Sequence, residues 1–197
     1  MTHCVLSILL LGFAVAACRA PQDIGQSNAS PTSSAAARTS VTGTRGFEPK
    51  SVVLYQPDAI LDERVPSVEG FAAYIKEIQA VCSTYFADAN APEALDVVVA
   101  IKPGGHSHVW FVSPSRPEND ESLGRLRQQI ESVNPPAVRT GPVAFAIMAS
   151  IAGAQREPTG SGEFRPPMPK AWMDAASKTP QQALVPDDVL HHAWPDP

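Results

Sequence analysis

Large apolar residues are concentrated in one stretch of the chain, and this distribution limits where a core can form. Of the Leu, Ile, Val and Phe residues from position 18 onward, 22 lie among the 81 residues 71–151 and 15 among the other 99. Proline, with 20 of 197 residues, is at about twice its ordinary share of ~5%, and it interrupts helices and strands. We therefore predict one compact domain at 67–155, followed by a proline-rich tail at 156–197 that is partly packed on it.

The first residues of the chain contain a short apolar run, Val5–Ala17, without a charged side chain. The run is shorter than the ~20 apolar residues that a membrane-spanning helix needs, and it has the length of a signal-peptide core. It ends in Val15-Ala16-Ala17-Cys18, which resembles the bacterial lipobox. The resemblance implies that residues 1–17 are a signal peptide and that Cys18 is lipidated, whereas an ordinary signal peptide or a buried helix would be the alternatives. Because Arg19 and not Asp follows the cysteine, the resemblance also implies an anchor in the outer membrane, with the domain facing the periplasm.

The residues after Cys18 have the composition of a tether. Residues 19 to about 50 are rich in Ser, Thr, Ala, Gly and Gln and poor in large apolar side chains. Such a segment cannot bury enough surface to offset the entropy lost on ordering. We predict that residues 18–66 form a flexible linker.

Charge, motifs and cysteine content exclude several classes of protein. The chain has 15 Lys+Arg against 20 Asp+Glu, a formal charge of −5, which argues against nucleic-acid binding. Thr159-Gly160-Ser161-Gly162 lacks the strand and helix of a nucleophile elbow, and no phosphate-binding glycine motif occurs.

With Cys4 in the signal peptide and Cys18 lipidated, Cys82 has no disulfide partner, and we predict that it is a small buried residue. We expect no enzymatic activity and no cofactor.

The spacing of apolar residues predicts the elements of the domain. A stripe at i, i+3, i+4 and i+7 predicts a helix, and β-branched runs on both sides of a Gly-containing turn predict a hairpin. In chain order we predict a helix N-capped by Ser67, strands at 95–102 and 107–112 around Pro103-Gly104-Gly105, a helix at 119–133 and a strand from Val143. The order α-β-β-α-β predicts an α+β fold of two layers, with two helices on one face of a three-stranded antiparallel sheet. Helical turns at 168–176 and 187–193 are expected in the tail.

This order resembles the carboxy-terminal periplasmic domain shared by TolA and TonB, over the stretch from Phe71 to Gly153. The matching residues are Phe71-Ala72-Ala73-Tyr74-Ile75-Lys76, Tyr85-Phe86, Ile101-Lys102-Pro103-Gly104-Gly105, the helix from Leu123 to Val133, and Pro135-Pro136. The resemblance implies a non-enzymatic lipoprotein that binds another envelope protein, whose extended segment joins a sheet edge. It implies that this edge is the last strand, through Val143, Phe145, Ile147, Ala149 and Ile151. A departure from the family is the short linker, where TolA and TonB have an inner-membrane helix and a long spacer.

His106 and His108 are the candidates for a different function. Residues i and i+2 of a strand face the same side, so both imidazoles could bind one transition metal. Further ligands could come from the tail residues Asp187, Asp188, His191 and His192. The alternative function is therefore a metal- or ligand-binding periplasmic protein. The simpler interpretations are a solvated hairpin tip and, in the tail, helix-stabilising pairs at i, i+4 that join Asp187 to His191 and Asp188 to His192.

Overall fold

Four antiparallel strands form the central sheet. The computed structural model describes residues 46–117, 120–155, 165–178 and 186–195, and these include β1 (Phe47–Leu54), β2 (Glu93–Lys102), β3 (His106–Val112) and β4 (Val143–Ile151). The strand order is β1-β4-β2-β3. The predicted α+β class with an antiparallel sheet is confirmed. The prediction of three strands is wrong, because β1 pairs with β4 and adds a fourth.

The structure corrects the carboxy-terminal boundary of the predicted linker. Part of the range 18–66 is folded, since it contains both β1 and a helix, α1 (Asp58–Arg64). Both elements contribute to the core. The ring of Phe47 in β1 stacks on that of Phe86 with centroids 6.2 Å apart, and Leu61 of α1 is buried. Residues 1–45, with the predicted signal peptide and Cys18, lie outside the described residues.

Three helices cover one face of the sheet. They are α1, α2 (Val68–Tyr85) and α3 (Gly124–Glu131), the last preceded by a 3-10 turn at Glu121–Leu123. The predicted N-cap of α2 is confirmed, since the Ser67 hydroxyl accepts a 3.0 Å hydrogen bond from the Gly70 N–H. This face of the sheet contributes alternate residues of β2, β3 and β4 to the larger of two cores, among them Val97, Phe111 and Phe145. Within the described residues, no helix combines the length and apolarity needed to cross a membrane.

The tail covers the other face of the sheet and adds a third layer to the predicted two. Its helices α4 (Lys170–Ala176) and α5 (Pro186–Ala193) lie close to the predicted positions. Together with Trp110 and smaller side chains of the sheet, they form the second core, made of Val98, Ala100, Trp110, Ala144, Ala146, Trp172, Ala175, Val189 and Leu190. Because both faces are covered, every residue of β4 is buried. The continuous apolar runs of β2 and β4 follow from this, since a strand with one wet face would alternate.

Candidate functional site

The strand predicted to dock a partner is in the middle of the sheet. Ile147 of β4 lies opposite Val52 of β1 on one side and Val97 of β2 on the other. The prediction that β4 is an edge is therefore wrong, because β1 pairs with the side of β4 for which no partner strand was predicted. The main-chain groups of β4 are used in both ladders. The same correction applies to the five predicted partner-binding residues, Val143, Phe145, Ile147, Ala149 and Ile151, all of which are at most 1% exposed.

The β3 edge of the sheet is shielded by α3. The Val109 N–H points away from β2 and donates a 3.1 Å hydrogen bond to Oε1 of Glu131. The same carboxylate oxygen lies 2.8 Å from Nδ1 of His108. One turn earlier on α3, the Arg127 guanidinium lies over the Phe111 ring, 5.8 Å from its centroid. An incoming chain would have to displace α3 to pair with β3.

The β1 edge is open in the part of the chain that the structure describes, where β4 is the one strand paired with it. The Tyr55 N–H donates to the Ala144 carbonyl over 3.2 Å, so the main chain of Tyr55 points inward. Main-chain groups of successive residues in a strand point to opposite sides. Those of Val52 and Leu54 therefore point outward, where they can pair with another chain.

The first half of β1 carries features that hinder such pairing. Pro49 has no N–H to donate, and the register with β4 shifts between Pro49 and Ser51. Glu48 and Lys50 form an ion pair of 2.6 Å on the surface. Proline, charge and a bulge are the usual protections of an edge strand. The accessible edge is thus confined to the second half, residues 51–54, which carries no charge.

An apolar groove runs beside this second half. Val52 and Leu54 are paired with Ile147 and Phe145, so their side chains lie on the face covered by α1 and α2, yet they remain 40% and 42% exposed. Val68, at the start of α2, is 69% exposed. The groove has a volume of about 190 Å³ and is lined by Leu54, Asp58, Leu61, Asp62, Val65, Val68 and Phe71.

The end of β1 is held by side chains that extend the sheet beyond the last strand residue. Oε1 of Gln56 accepts a 3.0 Å hydrogen bond from the Ala144 N–H, and its Nε2 donates to the Pro142 carbonyl over 3.2 Å. The Tyr55 hydroxyl donates to the Pro167 carbonyl, and the Tyr55 ring packs edge-on against Trp172 with centroids 5.0 Å apart. The position of the open edge is therefore fixed both by β4 and by the tail.

The two histidines proposed as metal ligands have different surroundings. His108 contacts the Glu131 carboxylate through Nδ1, and its ring stacks on that of Trp194 with centroids 5.5 Å apart. Burial lowers the pKa of His108, and the Glu131 charge opposes this effect only in part. His106 instead lines a separate cavity of about 730 Å³ with Lys102, Pro103, Gly141, Pro142, Asp187, Asp188 and His191. In the described ranges, no group of three or more His, Cys, Asp or Glu side chains is placed to hold a metal ion.

The predicted acid–histidine pairs of α5 are not the contacts that the structure shows. The Asp187 carboxylate binds the Arg64 guanidinium of α1. Nδ1 of His192 lies 2.8 Å from the main-chain carbonyl of Asp188 and not from its carboxylate. Asp187 therefore connects α5 to α1.

Cys82 is buried on α2, as predicted, and is not in a disulfide. Burial raises the pKa of its thiol to about 12. A thiol with such a pKa has almost no thiolate at neutral pH, so it is a poor nucleophile.

The open edge and its groove were missed by the sequence interpretation. The sequence nevertheless contains a signal for folded structure here. Val52-Val53-Leu54 is an apolar triplet with two β-branched residues, which is typical of a strand, and the apolar pair Ile60-Leu61 follows shortly after. No protein-family profile, curated protein sequence or solved structure was found to match the chain.

Proposed function

We propose that this chain is a non-enzymatic, lipid-anchored envelope protein that binds another envelope protein by strand addition at the second half of β1. An extended segment of the partner pairs with the outward main-chain groups of Val52 and Leu54. Unpaired N–H and C=O groups at a sheet edge are a template for such pairing. Main-chain hydrogen bonds give the affinity, and side chains that enter the neighbouring groove give the specificity.

The main support for this proposal is the difference between the two edges of the sheet, β3 and β1. At β3, the Val109 N–H is already bonded to Glu131. At β1, protective features stop at Ser51, and two half-exposed apolar side chains follow, Val52 and Leu54. Native proteins usually protect an exposed sheet edge with charge, proline or a bulge, so an apolar stretch without these features supports a docking role for this part of β1.

The anchor is the second part of the proposal. The lipobox-like Val15-Ala16-Ala17-Cys18 supports acylation of Cys18 and attachment to the periplasmic side of the outer membrane. The resemblance to the TolA and TonB domains supports an envelope protein as the partner. The docking module is then held near the membrane by the residues between Cys18 and β1.

Site-specific photocrosslinking tests the docking surface. A photoreactive residue is placed at position 52 or 54 in the full protein in its native envelope, and adducts are mapped by mass spectrometry. We expect one partner at both positions, with crosslinked sites confined to a single short segment of that partner. Matched controls carry the same residue at His106, at the start of β3, and at Arg125, an exposed position on α3, and should give no such adduct.

Two results would contradict the proposal. One is the absence of intermolecular adducts at positions 52 and 54 while position 106 or 125 captures a partner. The other is an adduct at positions 52 and 54 that joins only residues of the same chain, which would mean that the edge is covered by the protein itself.

A further inference from the structure

We infer that the segment that joins β1 is both apolar and basic: an apolar side chain fills the groove beside Leu54, and a Lys or Arg lies between Asp58 and Asp62. This inference rests on the proposed function, since it specifies the partner of the same edge. It commits to a peptide segment as the occupant of the groove.

The groove lies where a side chain of an added strand would point. Neighbouring strands are about 4.8 Å apart, and every second side chain of a strand faces the same side of the sheet. The main-chain groups of Val52 and Leu54 point outward in the plane of the sheet, and their side chains lie on the face covered by α1 and α2. A strand paired with these residues therefore places alternate side chains over the groove walls, Leu61 and Val68.

The size of the groove favours a side chain over a small-molecule ligand. Its volume of about 190 Å³ is below the ~300–1,000 Å³ typical of small-molecule sites. Its walls are mostly aliphatic or aromatic, from Leu54, Leu61, Val65, Val68 and Phe71. Val68 would lose its large exposed surface on binding, which is the favourable contribution expected for apolar burial.

The charge of the groove determines the second feature of the inferred partner, its basic residue. Asp58 and Asp62 both line the groove and are exposed, and they are separated by one helical turn on α1. Like charges at i, i+4 destabilise a helix by a small amount, and a cation between them removes that repulsion. Arg64, the basic residue of the same helix, is directed away toward Asp187. The groove therefore has an acidic side that favours a basic residue and disfavours an acidic one.

A pair of probe peptides tests this preference. Both are nine-residue peptides of alternating Val and Thr with one central charged position, which is Lys in one peptide and Glu in the other, so that the charged side chain can lie between Asp58 and Asp62. Binding to the full protein is measured by fluorescence anisotropy at low and moderate salt. We expect the Lys peptide to bind roughly tenfold more tightly, because two attractive contacts replace two repulsive ones, and we expect the ratio to shrink as salt rises.

Variants assign the preference to the groove. The double variant Asp58→Asn, Asp62→Asn should bring the two affinities to within about twofold of each other. Asp88→Asn removes an exposed carboxylate that follows α2 and should leave the ratio unchanged. Val68→Ser should weaken both peptides alike. Circular dichroism and urea midpoints establish that each variant is folded.

The outcomes separate the inference from the proposed function. If the Glu peptide binds as tightly as the Lys peptide and protects the Val52 and Leu54 amides from hydrogen exchange, the docking edge stands and the inferred basic partner is overturned. If neither peptide binds or protects these amides, the proposed function fails together with the inference. If the Lys peptide binds better but Asp58 and Asp62 do not matter, the groove is not the source of the preference, which also overturns the inference.

Discussion

Arg64 of α1 and Asp187 of α5 are joined by two parallel side-chain hydrogen bonds, although they are 123 positions apart in the sequence. Nη1 of Arg64 lies 2.7 Å from Oδ1 of Asp187, and Nη2 lies 2.6 Å from Oδ2. The same Nη1 donates to the Pro142 carbonyl over 2.7 Å. The helix that forms one wall of the groove is therefore attached to the tail and to the start of β4.

Removal of this pair should loosen the tail. Arg64→Ala leaves the Asp187 carboxylate and the Pro142 carbonyl without their charged donor, and we expect a loss of about 1–3 kcal/mol in the free energy of unfolding. Urea denaturation measures the loss, and Arg125→Ala, an exposed arginine on α3, serves as the control with little change. A double-mutant cycle with Asp187→Ala should give a coupling energy above about 0.5 kcal/mol. Additive effects of the two substitutions would show that the pair contributes nothing.

The burial of His108 predicts a pH dependence of stability. Burial lowers the pKa of His108 in the folded protein, so the unfolded chain, with a pKa near 6.5, binds the proton more tightly. The stabilisation is therefore complete above about pH 6.5 and is lost as the pH falls through the folded pKa.

Urea midpoints between pH 7.5 and pH 5 measure this effect. The wild-type protein should lose more stability over this range than His108→Gln, whose side chain at position 108 does not titrate. Equal losses for the two proteins would show that His108 has the same proton affinity in the folded and unfolded chains.

A proline at position 52 should separate docking from folding. The Val52 N–H points outward, so Val52→Pro removes a donor to the partner without breaking the ladder to β4. We expect partner affinity to fall about five- to tenfold, the worth of one main-chain hydrogen bond, with little change in the urea midpoint. Val52→Thr keeps the N–H and should keep the affinity, whereas Val53→Pro removes an inward donor and should lower the midpoint strongly. An unchanged affinity in a folded Val52→Pro protein would exclude pairing at this residue.

The local elements of the fold could be predicted from sequence, but the pairing of strands could not. The stripe through Phe71, Tyr74 and Ile78 and the turn at Gly104-Gly105 depend on residues close together in the chain, and both predictions hold. The edge position of β4 depends on whether a distant segment pairs with it. In β1 that segment contains Pro49 and a bulge, which break the alternation that identifies a strand.

The candidate site was missed for the same reason. An open edge is a property of the whole strand order, and the groove combines Leu54, Leu61 and Val68 from three consecutive elements. The apolar runs at 97–101 and 143–149 did contain a readable signal, because strands with two buried faces lack alternation. That signal predicts cover on both faces of the sheet, which the tail provides.

The anchor can be tested independently of docking. Cys18→Ala removes the residue proposed to be acylated, and we expect the protein to move from the membrane fraction to the soluble fraction and to lose labelling by radioactive palmitate. Cys82→Ala changes a buried cysteine of α2 and should leave both properties unchanged. Membrane association of Cys18→Ala at the wild-type level would contradict a lipid anchor at this residue.

Hydrogen exchange at single amides of β1, followed by NMR with and without the Lys-containing peptide, tests edge docking most directly. Strand addition predicts that the amides of Val52 and Leu54 exchange quickly in the free protein and slowly in the complex, while the inward amide of Val53 is protected in both. Protection that appears on β3 instead, or a bound peptide that leaves Val52 and Leu54 exchanging as before, would contradict docking at this edge.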